Sequence, residues 1–405
     1  MIKRHIEPEF LQLLGEYPIV TILGPRQAGK TTLARQVLPD YAYVNLEHPE
    51  TRDFARDDPK AFLAQYPGKV IFDEIQRLPE LLSYLQVAVD NQRENGRYVL
   101  TGSHQLSLRE AIAQSLAGRT AILHLLPFSI AELIDNNLAF ERPEDYLYQG
   151  FLPRIYDQQQ RPSQAYANYY QTYVERDVRQ LINLKDAAQF QKFMKLLAGR
   201  VGQLMDCSSL AGDVGVSSNT IKHWLSILEA SFIVYKLSPY FENFGKRVIK
   251  SPKYYFVDTG LLCFLLGIEN PQQVARDPLI GQLFENLVVM DFVKNLYNQG
   301  KLDNLYFFRD SNGLEADLLF AQGRKLIPME IKSSSTYKPE LLRGLKRIIE
   351  LSPQMVNAHL IYAGNSMQFS NGISALKFDS LSVFIENNWV VRDSLKKPAI
   401  EIYGN

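Results

Sequence analysis

The run Gly24-Pro25-Arg26-Gln27-Ala28-Gly29-Lys30-Thr31-Thr32 sets two glycines, a lysine and a hydroxyl at the spacing of a phosphate-binding loop, between an apolar run and a helical pattern. Gly24 and Gly29 let the backbone close around a phosphate, and the helix that follows aims its N–H groups at the anion. In this pattern Lys30 pairs with the β- and γ-phosphates of ATP, and Thr31 holds Mg²⁺. Val70-Ile71-Phe72-Asp73-Glu74 is a buried strand ending in two carboxylates. Asp73 is expected in the Mg²⁺ shell and Glu74 beside the attacking water. An Asp-Glu pair there favours hydrolysis over transfer to a small-molecule acceptor. Ser103, with Thr101 as second choice, is expected to meet the γ-phosphate or orient the water. Arg119 is either an arginine finger acting in trans, which requires a homo-oligomer, or a surface or internally paired arginine.

A second constellation lies near the C-terminus. Glu330 and Lys332 are two residues apart on a strand candidate, so they project from one face. Asp317 lies one hairpin earlier, and Glu285 begins an amphipathic helix. Glu285, Asp317 and Glu330 are candidate ligands for Mg²⁺ in phosphodiester hydrolysis, with Lys332 steadying the water or the transition state. The alternative is a set of salt bridges on a sheet face.

Between the two, residues 208–214 can form a short helix, Gly215-Val216 a turn, and Ser217 the cap of a helix over 218–229. Ile221, Trp224, Leu225 and Leu228 share one face, and Asn219, Lys222, His223 and Ser226 point elsewhere. This is a helix-turn-helix pattern. Lys246, Arg247, Lys250 and Lys253 follow with no acid between them and are expected to form a basic wing that holds DNA phosphates. Packing or oligomer contacts are the competing reading.

The elements that must position these residues alternate. Strand candidates at 19–25, 41–47, 69–74, 97–103 and 119–127 are separated by helical stretches at 30–38, 59–66, 79–93 and 105–117, which argues for a parallel α/β sheet. Residues 163–235 read as mostly helical. Strand candidates return at 254–257, 305–309, 316–320 and 326–331, around a helix at 281–297. The expected division is 1–150, an ATPase domain; 151–245, a helical, winged helix-turn-helix domain; and 246–405, a mixed α/β domain.

Composition sets bounds. The 405 residues suit roughly two to three domains. Lys+Arg and Asp+Glu are 44 each, so nucleic-acid contact needs a local patch. Two distant cysteines, Cys207 and Cys263, exclude a disulfide scaffold. No apolar run of about 18 residues suggests a membrane span, and the first residues do not read as a signal peptide. A cytoplasmic location is the expectation.

The phosphate loop, Phe72-Asp73-Glu74-Ile75-Gln76, Leu100-Thr101-Gly102-Ser103, Ala117-Gly118-Arg119 and Leu125-Leu126-Pro127-Phe128-Ser129 together resemble a family of prokaryotic AAA+-like P-loop ATPases. The resemblance covers essentially the whole chain, although the usual small helical lid is not evident after residue 130. It implies a C-terminal winged helix, of which Ser251-Pro252-Lys253-Tyr254-Tyr255-Phe256-Val257-Asp258-Thr259-Gly260 looks like a hallmark. The Asp, then Glu-x-Lys order resembles the restriction-endonuclease-like core, with Ala316 in place of a proline before Asp317. Two functions follow as expectations. One is an ATP-driven DNA-processing enzyme with a metal-dependent nuclease centre. The other is a nucleotide-dependent switch whose C-terminal region binds a protein or DNA without cutting.

Overall fold

A computed structural model describes residues 2–92, 94–103, 106–178, 187–240, 249–369 and 372–388. Its first sheet has five parallel strands: β1 (Ile19–Gly24), β2 (Ala42–Asn45), β3 (Val70–Asp73), β4 (Tyr98–Ser103) and β5 (Thr120–His124). Their spatial order is β2-β3-β4-β1-β5. Strands β1, β3 and β4 are buried along their whole length, as expected of parallel strands covered on both faces. Val20 and Ile22 pack with Phe10 and Leu33 on one side. Ile19 and Leu23 pack with Phe72, Leu82 and Leu100 on the other, the two-residue period of a strand. Strand β4 separates the phosphate-loop strand from the acidic strand, so its polar end lies between them.

Helices begin directly after this sheet, at Ile130–Asp135, Pro143–Gln149, Pro153–Asp157 and Pro162–Tyr169, ahead of the expected start at 163. They are too short to show a repeat, and their signals are local. Ser129 and Glu132 form a capping box, and the other three open on proline. Cys207–Val214 and Ser218–Ala230 follow, joined through Gly215 at φ 90 and capped by the Ser217 hydroxyl. Ile221, Trp224, Leu225 and Leu228 are buried, and Asn219, Lys222, His223 and Ser226 are exposed.

The second sheet is mixed, with strands β6 (Val234–Pro239), β7 (Lys253–Phe256), β8 (Leu305–Arg309), β9 (Glu315–Gln322), β10 (Lys325–Lys332), β11 (His359–Tyr362), β12 (Met367–Gln368) and β13 (Ser374–Lys377). Their order is β12-β13-β11-β10-β9-β8-β6-β7. β6 pairs antiparallel with β7 and parallel with β8, so a division at 245/246 cuts through this sheet. The Ile280–Asn298 helix runs beneath it, buried on nearly every side. Asn286 clamps the helix to β7, accepting from Phe256 N at 2.7 Å and donating to Phe256 O at 2.9 Å. Among the described residues no helix is long and apolar enough to cross a membrane.

Candidate nucleotide site and C-terminal pocket

Gly24 and Ser103 are register partners at the ends of β1 and β4. A Cβ on Gly24 would come within 2.0 Å of the Leu125 carbonyl oxygen, so packing as well as phosphate approach demands glycine. Gly29 caps the Lys30–Val37 helix at φ 93, a left-handed position that glycine tolerates without strain. Pro25, Ala28 and Lys30 are buried, while Gln27 and Thr32 are exposed. The Arg26 guanidinium lies 5.5 Å from the Tyr173 ring centroid.

The Lys30 ammonium donates to the Gly24 and Pro25 carbonyls at 3.0 and 2.8 Å. Burial pushes it down to about 8, against the pull of Glu74 and Asp73. The loop thus holds its lysine on its own carbonyls, ready to exchange them for phosphate oxygens. Thr31 donates to Asp73 at 2.9 Å, and the Tyr43 hydroxyl donates to the same carboxylate at 2.7 Å. Thr101 also donates to Asp73, and its oxygen accepts from Glu74 N at 3.3 Å. The Thr31 hydroxyl beside the Asp73 carboxylate is an oxygen donor set that fits Mg²⁺. Burial pushes the Glu74 carboxyl up, with Lys30 opposing. Ser103 is buried at the end of β4 and accepts from Gln76 at 2.9 Å.

Arg119 is not brought to this site within the chain. It stands beside Ile19, at the opposite end of the strands from the loop, and grips Asp90 with Nε and Nη2 at 2.7 and 2.9 Å. Sequence reasoning also missed Arg4, Tyr43 and Gln76. Arg4 donates to the Ala28 carbonyl of the loop, to Leu126 O and to Glu132, each at 2.8 Å. Burial pushes Glu132 up, but Arg4 and the Ser129 and His5 backbone N–H groups outweigh it and hold the carboxyl below its usual range. Nothing near Arg4 in the sequence signals that pairing. Gln76 stands inside an already informative run, and Tyr43 on a strand beside the acidic one.

Glu285, Asp317 and Lys332 line a cavity of about 570 Å³ with Lys253, Arg309 and Glu315, among others, whereas Glu330 faces a neighbouring cavity of about 290 Å³. Asp317 accepts from Ile331 N at 2.8 Å and lies 3.5 Å from the Lys332 ammonium, which reaches Glu330 at 2.5 Å. Two expectations need correction here. Lys253 is not on an exposed basic wing. It is 3% exposed and its ammonium lies 2.9 Å from Glu285 and 2.8 Å from Glu315. Its place on β7, under the Ile280–Asn298 helix, turns it inward. Lys250 is exposed, and Lys246 and Arg247 lie outside the described residues. Second, the described residues contain no group of three His, Cys, Asp or Glu able to hold a metal ion. Glu285, Asp317 and Glu330 are instead engaged by Lys253, Tyr255 and Lys332. Burial, and then Asp317, pushes Glu285 and Glu330 up to about 7.

Over 382 residues the chain is 30% identical to an uncharacterized protein of Mycobacterium tuberculosis, covering 94% of this chain and 84% of that one. The chain belongs to that protein's family. Within it, residues 16–134 match the model of an AAA domain, and residues 141–272 and 280–381 match two domains of unknown function, DUF8612 and DUF4143. An uncharacterized protein of Haemophilus influenzae is 27% identical over 324 residues, 71% of this chain and 77% of that one. Among solved structures, a Walker-type ATPase of Pyrococcus abyssi superposes with a TM-score of 0.45 at 15% identity, covering 65% of this chain and 96% of that one. The AAA-domain match supports nucleotide binding and hydrolysis for this family member; its relatives carry no assigned role.

Proposed function

We propose that this chain is a magnesium-dependent ATPase that works as a nucleotide switch on its own C-terminal region. The observation that carries the first half is the 2.9 Å contact between the Thr31 hydroxyl and the Asp73 carboxylate, one residue from the buried Lys30. In this reading the loop from Gly24 to Gly29 and Lys30 bind the phosphates. Thr31 and Asp73 hold Mg²⁺, which neutralises the β- and γ-oxygens. Glu74 takes the proton of the attacking water, and Ser103 donates to the γ-phosphate. Arg119 is paired with Asp90 away from its own loop, so a finger role requires a neighbouring copy, and the internal ion pair is the competing reading.

A buried path supports the second half. The Ala28 carbonyl of the loop is held by Arg4, and Arg4 by Glu132 of the Ile130–Asp135 helix. The first N–H of that helix donates to Asp291 at 2.7 Å. Asp291 stands on the same helix as Glu285, which lines the C-terminal pocket. A shift in the loop therefore has a contiguous route to the pocket, which is spatial support for coupling and leaves the coupling energy to be measured. The lysine-paired carboxylates favour a binding role for the pocket over cutting. Exposed Asn219, Lys222, His223 and Ser226 are the helix residues offered to DNA in this reading.

The test is phosphate release and labelled-ATP retention by the purified chain. Wild type is expected to do both and Lys30→Ala neither; a wild type that does neither removes the proposal. Gel shifts at fixed low salt, with and without ATP, decide whether DNA is the partner. Plasmid cleavage that disappears in Asp317→Ala would restore the nuclease reading.

A further inference from the structure

Gln76 carries no role in the reading above, yet its side chain joins two residues that do. It follows the acidic strand in the Ile75–Arg77 turn, which Glu74 caps at φ 59 and ψ 47. That left-handed conformation is uncommon for a residue with a side chain, and it aims the Glu74 carboxylate back toward its own turn. The Gln76 amide nitrogen donates to Glu74 and, at 2.9 Å, to the Ser103 oxygen. The other end of the amide is packed against backbone: a Cβ on Gly102 would come within 2.8 Å of Gln76 Oε1. Among the described residues that buried oxygen has no hydrogen-bond partner. Reversing the amide would set its oxygen against a carboxylate, so only this orientation uses both N–H donors.

Ser103 accepts from Gln76, and a hydroxyl that accepts still has its own O–H to give. The order of β4 between β1 and β3 sets that O–H at the strand end beside Gly24, where the third phosphate of a bound ATP is expected. We propose that Gln76 is a positioning residue that ties Glu74 to Ser103, so that the general base is set according to whether Ser103 has a γ-phosphate to hold. With the phosphate present, the Ser103 O–H gives to a phosphate oxygen and the Ser103 oxygen accepts more strongly from one Gln76 N–H, which weakens the other N–H of the same nitrogen as a donor and loosens its hold on the Glu74 carboxylate. With ADP in the site, Ser103 has no anionic partner and Glu74 is not drawn to the water. Gly102 belongs to the device, because any side chain there would push the amide off both partners.

This inference rests on the ATPase reading, and the experiment separates the two. Steady-state ATP hydrolysis is measured on the full chain as wild type, Gln76→Leu, Gln76→Ala, Ser103→Ala and the Gln76→Leu/Ser103→Ala double variant, with Glu74→Gln as the inactive control. Leucine fills the space over Gly102 without either donor, so it keeps the packing should the alanine variant not fold. In Gln76→Leu a misplaced base is expected to lower kcat on the order of 10- to 100-fold, with KM for ATP within about 2-fold of wild type, since Gln76 makes no ground-state phosphate contact. The double variant is expected to be no slower than Gln76→Leu, because the two residues act as one chain. Unchanged kcat in Gln76→Leu, a rise in KM alone, or losses that multiply in the double variant would each overturn the inference while leaving the ATPase intact. A wild type that releases no phosphate would overturn the ATPase reading itself.

Discussion

The nucleotide site and the C-terminal pocket both gather carboxylates, and they compensate them in opposite ways. Asp73 is held by three hydroxyls, from Thr31, Tyr43 and Thr101, and Glu74 by the Gln76 amide. Neutral donors orient an acid without cancelling its charge, so the site keeps its attraction for a cation. In the pocket, Glu285 and Glu315 share the Lys253 ammonium, Arg309 adds to Glu315, and Lys332 serves Asp317 and Glu330. There the cations are part of the protein. The same residue type is therefore held by neutral donors in one place and by cations in the other.

The largest effect that sharpens this contrast is on turnover. Glu74→Gln is expected to lower kcat by about 10²- to 10⁴-fold with ATP still bound, whereas Lys332→Ala in the pocket is expected to leave ATP hydrolysis within about 2-fold. Equal losses from both would erase the distinction. Next comes stability. Lys253→Met leaves Glu285 and Glu315 without their buried cation, at a cost of about 3 kcal/mol in urea unfolding. Adding Glu285→Gln should recover part of that loss, and no recovery would mean that the lysine acts by packing alone.

The smallest effect is on pH. Glu285 and Glu330, pushed up to about 7 from 4.5, stay protonated in the folded chain where the unfolded chain has released its protons. The folded state then holds more protons between those values, so stability falls as pH rises through that window and the loss is complete above it. Glu285→Gln should flatten the slope across the window. A slope that the variant leaves untouched would place the titration elsewhere.

Much of the first sheet was legible because its signals are contiguous. The loop, the acidic strand and the Thr101–Ser103 strand end are each read within a few neighbouring residues, and the strands carry the apolar runs of a sheet buried on both faces. Lys253 shows where such reading stops. Three other basic residues precede it closely, so it looks like part of a charged surface, and only the pairing of β7 with β6 beneath the Ile280–Asn298 helix turns it inward. The strands β11, β12 and β13 were also missed: no motif residue marks them, and what makes them strands is their pairing with β10 and with one another. Arg4 was missed because its partner Glu132 is more than a hundred positions away.

The sequence by itself determined that a phosphate loop precedes an acidic strand, since the spacing of Gly24, Gly29, Lys30 and Thr31 is a local steric and electrostatic requirement that no distant contact can supply. Tertiary structure alone decided the order β3-β4-β1, which sets Ser103 between the loop and Glu74, and the pairing of each C-terminal carboxylate with a lysine. Strand order and ion pairing join residues far apart along the chain, and burial, which chooses between a ligand and a salt bridge, exists only once those residues have met.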